Sequence, residues 1–245
     1  MPRLDVYLHE QGFAASRSLA AKLIRGGWVL VNGSAETKPG APVQEGDGIV
    51  LRESPLTRYV SRGGLKLEAA LEEWNVSPAG LVCADVGAST GGFTDCLLQH
   101  GAKKVFAVDS GTDQLHPALR ENENVVVMEN VNARFLTEED LGKVDLVVMD
   151  VSFISQTLLF PAIARILRPG GTLISLIKPQ FEAGREALSS GGIVRSEKAR
   201  EACVEAVREK AAETGFYMLN VMPSPITGGD GNIEYLALFS FRENA

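Results

Sequence analysis

The 245-residue sequence lacks any apolar run near the roughly 18 residues that a membrane-spanning helix needs. Its opening, MPRLDVYLHEQG, has no apolar core of the kind a secretory signal carries, so the expected compartment is the cytoplasm. It has only three cysteines, Cys83, Cys96 and Cys203. They share no metal-ligand or redox spacing and read as reduced, mostly buried thiols, and no metal site is expected. Basic excess is missing as well. The net charge is −7, so any contact with nucleic acid would have to use a local positive patch. The chain also lacks the G-x-G-x-x-G pattern and a Walker lysine, which argues against a dinucleotide or a nucleoside triphosphate.

Apolar residues make up 45% of the chain, enough for one substantial core and a small second one. Residues 1–59 and 60–245 are patterned differently, which predicts two domains. In the first, RLDVYLHEQG and SRSLAAKLIRGG read as short amphipathic helices, the second capped by Ser16 and stopped by Gly26 and Gly27. WVLVNG then reads as a strand ending in an Asn32-Gly33 turn, and a final strand closes GDGIVLR. At 100° per residue, Arg17, Lys22 and Arg25 share one arc of the second helix, with Leu19, Leu23 and Ile24 on the opposite arc. One face packs and the other is positive, making these three the candidate RNA contacts.

From about residue 80, LVCADVGA, KVFAVD, VVVMEN, VDLVVMDV and TLISLIKP are short apolar runs suited to parallel strands buried on both faces. TGGFTDCLLQHG, SQTLLFPAIARIL and SEKAREACVEAVREKAAETG read as helices. RPGG, residues 168–171, should close the middle helix before the next strand, and IEYLALFSF should be a terminal strand. The predicted architecture is a doubly wound α/β sheet with an N-terminal α+β appendage.

Gly87, Gly91 and Gly92 follow the first of these strands, where a tight turn lets a nucleotide-type ligand approach the backbone. Asp109 ends the second strand, 22 positions after Gly87, where a carboxylate can accept hydrogen bonds from a ribose diol. Asp150 and Lys178 directly follow the strands LVVM and LISLI, so both belong at the carboxyl edge. Glu234 joins that edge if the last strand it opens runs antiparallel beside its predecessor. Lys66, at the start of the helix leading into the first strand, reaches the same rim if that helix runs back along the sheet.

These features carry two resemblances. SRSLAAKLIRGGWVLVNG with KPG and GDGIVL is similar to the S4 RNA-binding domain. DVGASTGGFTD with Asp85 and Asp109 resembles the class I S-adenosylmethionine-dependent methyltransferases. That likeness implies contacts to S-adenosyl-L-methionine from Asp85, Gly87, Ala88, Ser89, Gly91, Gly92, Phe93 and Asp109, with Asn132 near the adenosine. The quartet Lys66, Asp150, Lys178 and Glu234 matches the Lys-Asp-Lys-Glu tetrad of the FtsJ-like RNA ribose 2′-O-methyltransferases.

With SRGGLKLE, LIKPQFEAGRE, GGIVR and GNIEYL, nearly the whole chain resembles the hemolysin-A-like, TlyA-type ribosomal RNA methyltransferases. The resemblance implies 2′-O-methylation of a cytidine in ribosomal RNA within ribosomal subunits. Large-subunit RNA is the first expectation and small-subunit RNA the second. It also implies that Lys178 is either the base or the group that orients the hydroxyl. Two departures from catalysis stand as alternatives: a non-catalytic RNA-binding assembly factor, and a pore-forming cytolysin suggested by the family's name. One departure from the family pattern is Thr112, where members often carry an aromatic ring against the donor.

Overall fold

The structure, a computed structural model, describes the chain except Ala15, Glu53, Pro55, Ser190, Asn244, Ala245 and the side chain of Arg185. The chain divides into two compact units, Met1–Tyr59 and Val60–Ala245.

The first unit contains helices α1 (Leu4–Glu10) and α2 (Arg17–Arg25) and strands β1 (Val29–Val31), β2 (Ser34–Ala35) and β3 (Ile49–Leu51). The strands form an antiparallel sheet in the order β2-β1-β3. Ser16 begins α2 as a true cap, its Oγ accepting the Leu19 N–H at 3.2 Å. Leu4, Leu8, Leu23, Ile24 and Val29 are fully buried and make the core. Asn32 and Gly33 take φ of 52° and 82°, the left-handed pair that a two-residue hairpin needs to match strand twist. Strand β2 was not expected, since two exposed residues carry no periodicity to read.

The second unit is a seven-stranded sheet in the order β6-β5-β4-β7-β8-β10-β9. The strands are β4 (Val82–Val86), β5 (Lys104–Val108), β6 (Val125–Met128), β7 (Val144–Met149), β8 (Leu167–Ile177), β9 (Phe216–Pro223) and β10 (Tyr235–Phe241). Strands β4 to β8 are parallel, and β10 runs antiparallel to both β8 and β9. From β4 the chain builds outward through β5 and β6, then returns to place β7 on the other side. A crevice therefore opens at the carboxyl ends of β4 and β7, where such sheets take their ligands.

The helices here are α3 (Gly63–Glu73), α4 (Gly92–Gln99), α5 (Pro117–Arg120), α6 (Glu138–Leu141), α7 (Phe160–Ile166), α8 (Pro179–Glu182) and α9 (Glu197–Ala212). Phe160, Phe216, Phe239 and Phe241 pack as tilted pairs, centroids 4.8–5.8 Å apart, at the β10 side of the core.

Three local expectations are corrected. RPGG does not separate helix from strand: β8 already starts at Leu167, and the ladder passes from Val144↔Leu167 to Leu146↔Thr172, so residues 168–171 bulge out of the strand. The segment 155–167 is not one helix but a 3-10 turn, Gln156–Leu158, followed by α7. Finally, Glu234 precedes the last strand rather than opening it, and that strand arrives from β9, an edge strand with no clear signal in the sequence.

Candidate active site at the carboxyl edge of the sheet

The glycine-rich turn after β4 is shaped by what surrounds it. Gly87 has φ of 86°, and a Cβ there would lie 2.5 Å from the backbone oxygen of Asp150. A Cβ on Gly92 would collide with Ser61 Oγ and approach Gly64 N at 2.9 Å. The turn thus packs against both the loop after β7 and the start of α3. Ser89, itself at φ 48°, donates its N–H to Asp109 Oδ2 at 2.7 Å, while Gly111 N–H donates to Oδ1 at 2.7 Å. Asp109 is held by these two bonds and keeps lone pairs for a ligand.

Asp85 is fully buried beneath the turn. Thr94 Oγ1 donates to its Oδ2 at 2.7 Å, whereas Oδ1 has no hydrogen-bond partner. Burial pushes its carboxyl up to about 7, opposed by the Thr94 bond and reinforced by the nearby Asp150 charge. A buried oxygen without a partner is costly, and Asp85 itself lines neither of the crevice's two lobes.

The four charged residues form two ion pairs at the carboxyl edge. Lys66 lies one turn into α3 and is buried, its Nζ 2.6 Å from Glu234 Oε2, which is also buried. Lys178 Nζ sits 2.7 Å from Asp150 Oδ1 and donates to Ser152 Oγ at 2.7 Å. Sheet register explains the convergence. Val86 pairs with Met149, so Gly87 and Asp150 leave their strands side by side; Tyr235 pairs with Ile177, so Glu234 and Lys178 do the same. Asn232 fixes the approach to Glu234, accepting Val194 N–H and donating to Gly192 O, each at 3.1 Å.

The crevice has two lobes. One, about 270 Å³, is lined by Lys66, Asp150, Lys178, Phe93, Ala88 and the Gly228-Gly229 turn among others. The other, about 440 Å³, is lined by Asp109, Gln114, Asn132, Phe153 and Ile154 among others. Gly87, Ser89, Asp150 and Ser152 line both, forming the shared wall. Gly91 is part of the same turn but lines neither lobe; a Cβ there would press on Leu115 and Leu119. Asn132 lines the larger lobe and also caps a 3-10 turn, its Oδ1 accepting Arg134 N–H at 3.1 Å. Thr112 is turned to Asn130, with Oγ1 to Oδ1 at 2.7 Å.

Several groups at the site escaped sequence reasoning. Ser152 shares Lys178 with Asp150, and the only sequence signal was a hydroxyl two residues past a strand-end acid. Phe153 stands 92% exposed at the larger lobe with φ of 64°, unusual for an aromatic residue. Glu129 shapes the loop carrying Gln114. It accepts from Asp113, Gln114 and Leu115 N–H groups, and the Arg120 guanidinium at 2.6 Å brings its carboxyl down to about 2.

In the first unit, Arg17, Lys22 and Arg25 are exposed on α2 opposite buried Leu23 and Ile24, with Leu19 half-buried. Arg17 lies 3.6 Å from Asp5 Oδ2, so part of its charge is already compensated. All three cysteines are buried, and burial pushes the Cys83 thiol up to about 12. Among the described residues, no group of three or more His, Cys, Asp or Glu is placed to hold a metal ion. No described helix is long and apolar enough to cross a membrane.

Comparison with known proteins bears on this geometry. Residues 59–241 match the FtsJ-like methyltransferase family, and residues 2–49 match the S4 domain. The chain is 46% identical to the candidate rRNA methyltransferase YqxC of Bacillus subtilis, over 96% of this chain and 84% of that one. It is 42% identical to the 16S/23S rRNA (cytidine-2′-O)-methyltransferase TlyA of Mycobacterium tuberculosis, over 95% of this chain and 87% of that one. A solved structure from Streptococcus thermophilus, named as a hemolysin, superposes with a TM-score of 0.77 at 44% identity, covering 99% of this chain and 89% of that one.

Proposed function

This chain belongs to the FtsJ-like methyltransferase family, and from that membership we propose that it transfers a methyl group from S-adenosyl-L-methionine to the ribose 2′-hydroxyl of a cytidine in ribosomal RNA. Residues 60–245 act as the catalytic domain. Residues 1–59 act as an S4-type RNA-binding domain, through Arg17, Lys22 and Arg25. The observation that carries the reading is that Lys66, Asp150 and Lys178 line one crevice with Gly87 of the glycine turn, Lys178 ion-paired with Asp150 and Lys66 with Glu234.

The residues present fit the methyl donor. Asp85 offers a buried oxygen without a partner, suited to the ammonium of a methionyl group. Gly87 lines both lobes of the crevice, and Asp109 retains acceptor capacity for a ribose diol. Gln114 and Asn132 wall the lobe beyond it. When bound, S-adenosyl-L-methionine supplies an electrophilic methyl on a sulfonium, which departs as a neutral thioether while the hydroxyl proton passes to water.

The chain's own task is placement. Lys178 donates to Ser152 and is ion-paired with Asp150 at 2.7 Å, which leaves donor capacity to align the ribose oxygen. Asp150 and Ser152 hold that ammonium in place, and the Lys66–Glu234 pair closes the rim beside it. Alignment of this kind lowers barriers by roughly 7–11 kcal/mol in favourable intramolecular models. The need for a 2′-hydroxyl selects RNA over DNA, and a paired target would have to be unstacked to reach the rim.

The test is transfer of labelled methyl groups to each purified ribosomal subunit, followed by digestion to nucleosides. Label in 2′-O-methylcytidine is expected. Label in neither subunit would favour a non-catalytic assembly factor instead.

A further inference from the structure

A helix of four residues has no stability of its own, because nucleation costs more than one turn returns. Yet Lys178 is the residue from which α8 starts, so the placement of its side chain depends on what holds α8. Three contacts do so. Cys203 of α9 directs its thiol to Pro179 O at 3.9 Å, and the Phe181 ring packs on Phe153 with centroids 5.3 Å apart. The third is ionic. Glu182, the last residue of α8, accepts Ser155 Oγ on Oε2 at 2.5 Å and Gln156 N–H on Oε1 at 2.9 Å.

Those two partners lie in the segment that follows β7, the same segment that supplies Asp150 and Ser152 to Lys178. It is stitched to the β8–α8 chain a second time, before Lys178, where Ser175 Oγ donates to the buried Gln156 Oε1. Lys178 therefore sits between two ties to one loop. Glu182 lines neither lobe of the crevice. Burial pushes its carboxyl upward, a cost that an apolar residue would avoid.

We propose that Glu182 is a positioning residue for methyl transfer: by clamping α8 to the Ser155–Gln156 turn it sets the Asp150–Lys178–Ser152 geometry. This rests on the function proposed above. A misplacement of about 1 Å at a reacting group costs on the order of a hundredfold in rate. Glu182→Ala is thus expected to lower kcat by about that factor, with the KM for RNA and the Kd for S-adenosylhomocysteine, measured by calorimetry, within about threefold of the parent. Glu182→Gln restores most of the rate, since its amide oxygen accepts Gln156 N–H and its amide nitrogen donates to Ser155 Oγ.

Crystal structures of both variants give a readout independent of turnover. The Lys178 Nζ to Asp150 separation of 2.7 Å should open beyond about 4 Å in Glu182→Ala and persist in Glu182→Gln. If the unaltered chain methylates no ribosomal RNA, the functional reading fails while these coordinates still decide the clamp. The inference is overturned by an unchanged separation in Glu182→Ala, by Glu182→Gln as impaired as Glu182→Ala, or by kcat, ligand affinity and Tm falling together.

Discussion

Lys66 and Glu234 stand 168 residues apart in the chain and meet at 2.6 Å, both buried. One is carried by the helix before the first sheet strand of its unit and the other by the approach to the last, so this ion pair closes the fold across its full connectivity. Each charge is stabilised by the other. Removing one leaves the survivor buried without a counter-charge, at a cost of about 3–5 kcal/mol.

Lys66→Met should therefore destabilise the protein by about that amount in urea, and Glu234→Gln by a comparable amount. The double variant should lose less than the two together, because no lone charge remains. Equilibrium unfolding of the four proteins measures the coupling. Additive losses would mean the two side chains act independently.

Gly87 holds a second close approach, to the backbone oxygen of Asp150. Gly87→Ala forces a side chain into a left-handed conformation and onto that oxygen, at about 1–3 kcal/mol. It should weaken S-adenosylhomocysteine binding and lower turnover together, in contrast to the selective rate loss expected at Glu182. Calorimetry with steady-state kinetics distinguishes them. Binding as tight as in the parent would exclude Gly87 from the donor's cradle.

Asp85 makes stability depend on pH in a definite direction. Its carboxyl is raised from 3.8 to about 7 in the folded protein, so between these values the folded state holds a proton that the unfolded chain has released. The stabilisation is complete below about pH 4, is lost as pH rises to about 7, and amounts to roughly 4 kcal/mol. Asp85→Asn should remove this part of the pH profile, gain stability at pH 8 relative to the parent, and bind the donor weakly. Parallel profiles for the two proteins from pH 4 to 8 would contradict the assignment.

On α2, replacing Lys22 and Arg25 with glutamine should weaken RNA binding and reduce the slope of log K against log salt by up to about two. Arg17, already near Asp5, should contribute less than either. Filter binding across a salt series reads the slope. An unchanged slope would place the RNA elsewhere.

The parts of this molecule that follow a period were legible in the sequence. The run VDLVVM announced a strand buried on both faces, and Leu23 and Ile24 announced the packed side of α2. Strand β9 was not, because it is an edge strand whose apolar residues Tyr217, Leu219 and Val221 face solvent, and a bulge at Leu238/Phe239 breaks its register. RPGG carried true turn chemistry, but a bulge uses the same residues as a helix stop. Asp150 and Lys178 were placed by strand ends alone. The Lys66–Glu234 contact needed the topology, or the resemblance that supplied it. Ser152 and Glu182 act through contacts 26 to 27 residues apart that no periodicity records.

On the proposed function, Lys178, held by Asp150 and Ser152, serves the methylation of a ribose 2′-hydroxyl. The most direct test maps alkali-resistant positions in ribosomal RNA after incubation with S-adenosyl-L-methionine and either the parent chain or Lys178→Ala. A new resistant linkage is expected at a cytidine with the parent, formed about a hundred times more slowly by a Lys178→Ala protein that binds S-adenosylhomocysteine normally. Equal rates from the two proteins, or a methyl group found on a base instead of a ribose, would contradict it.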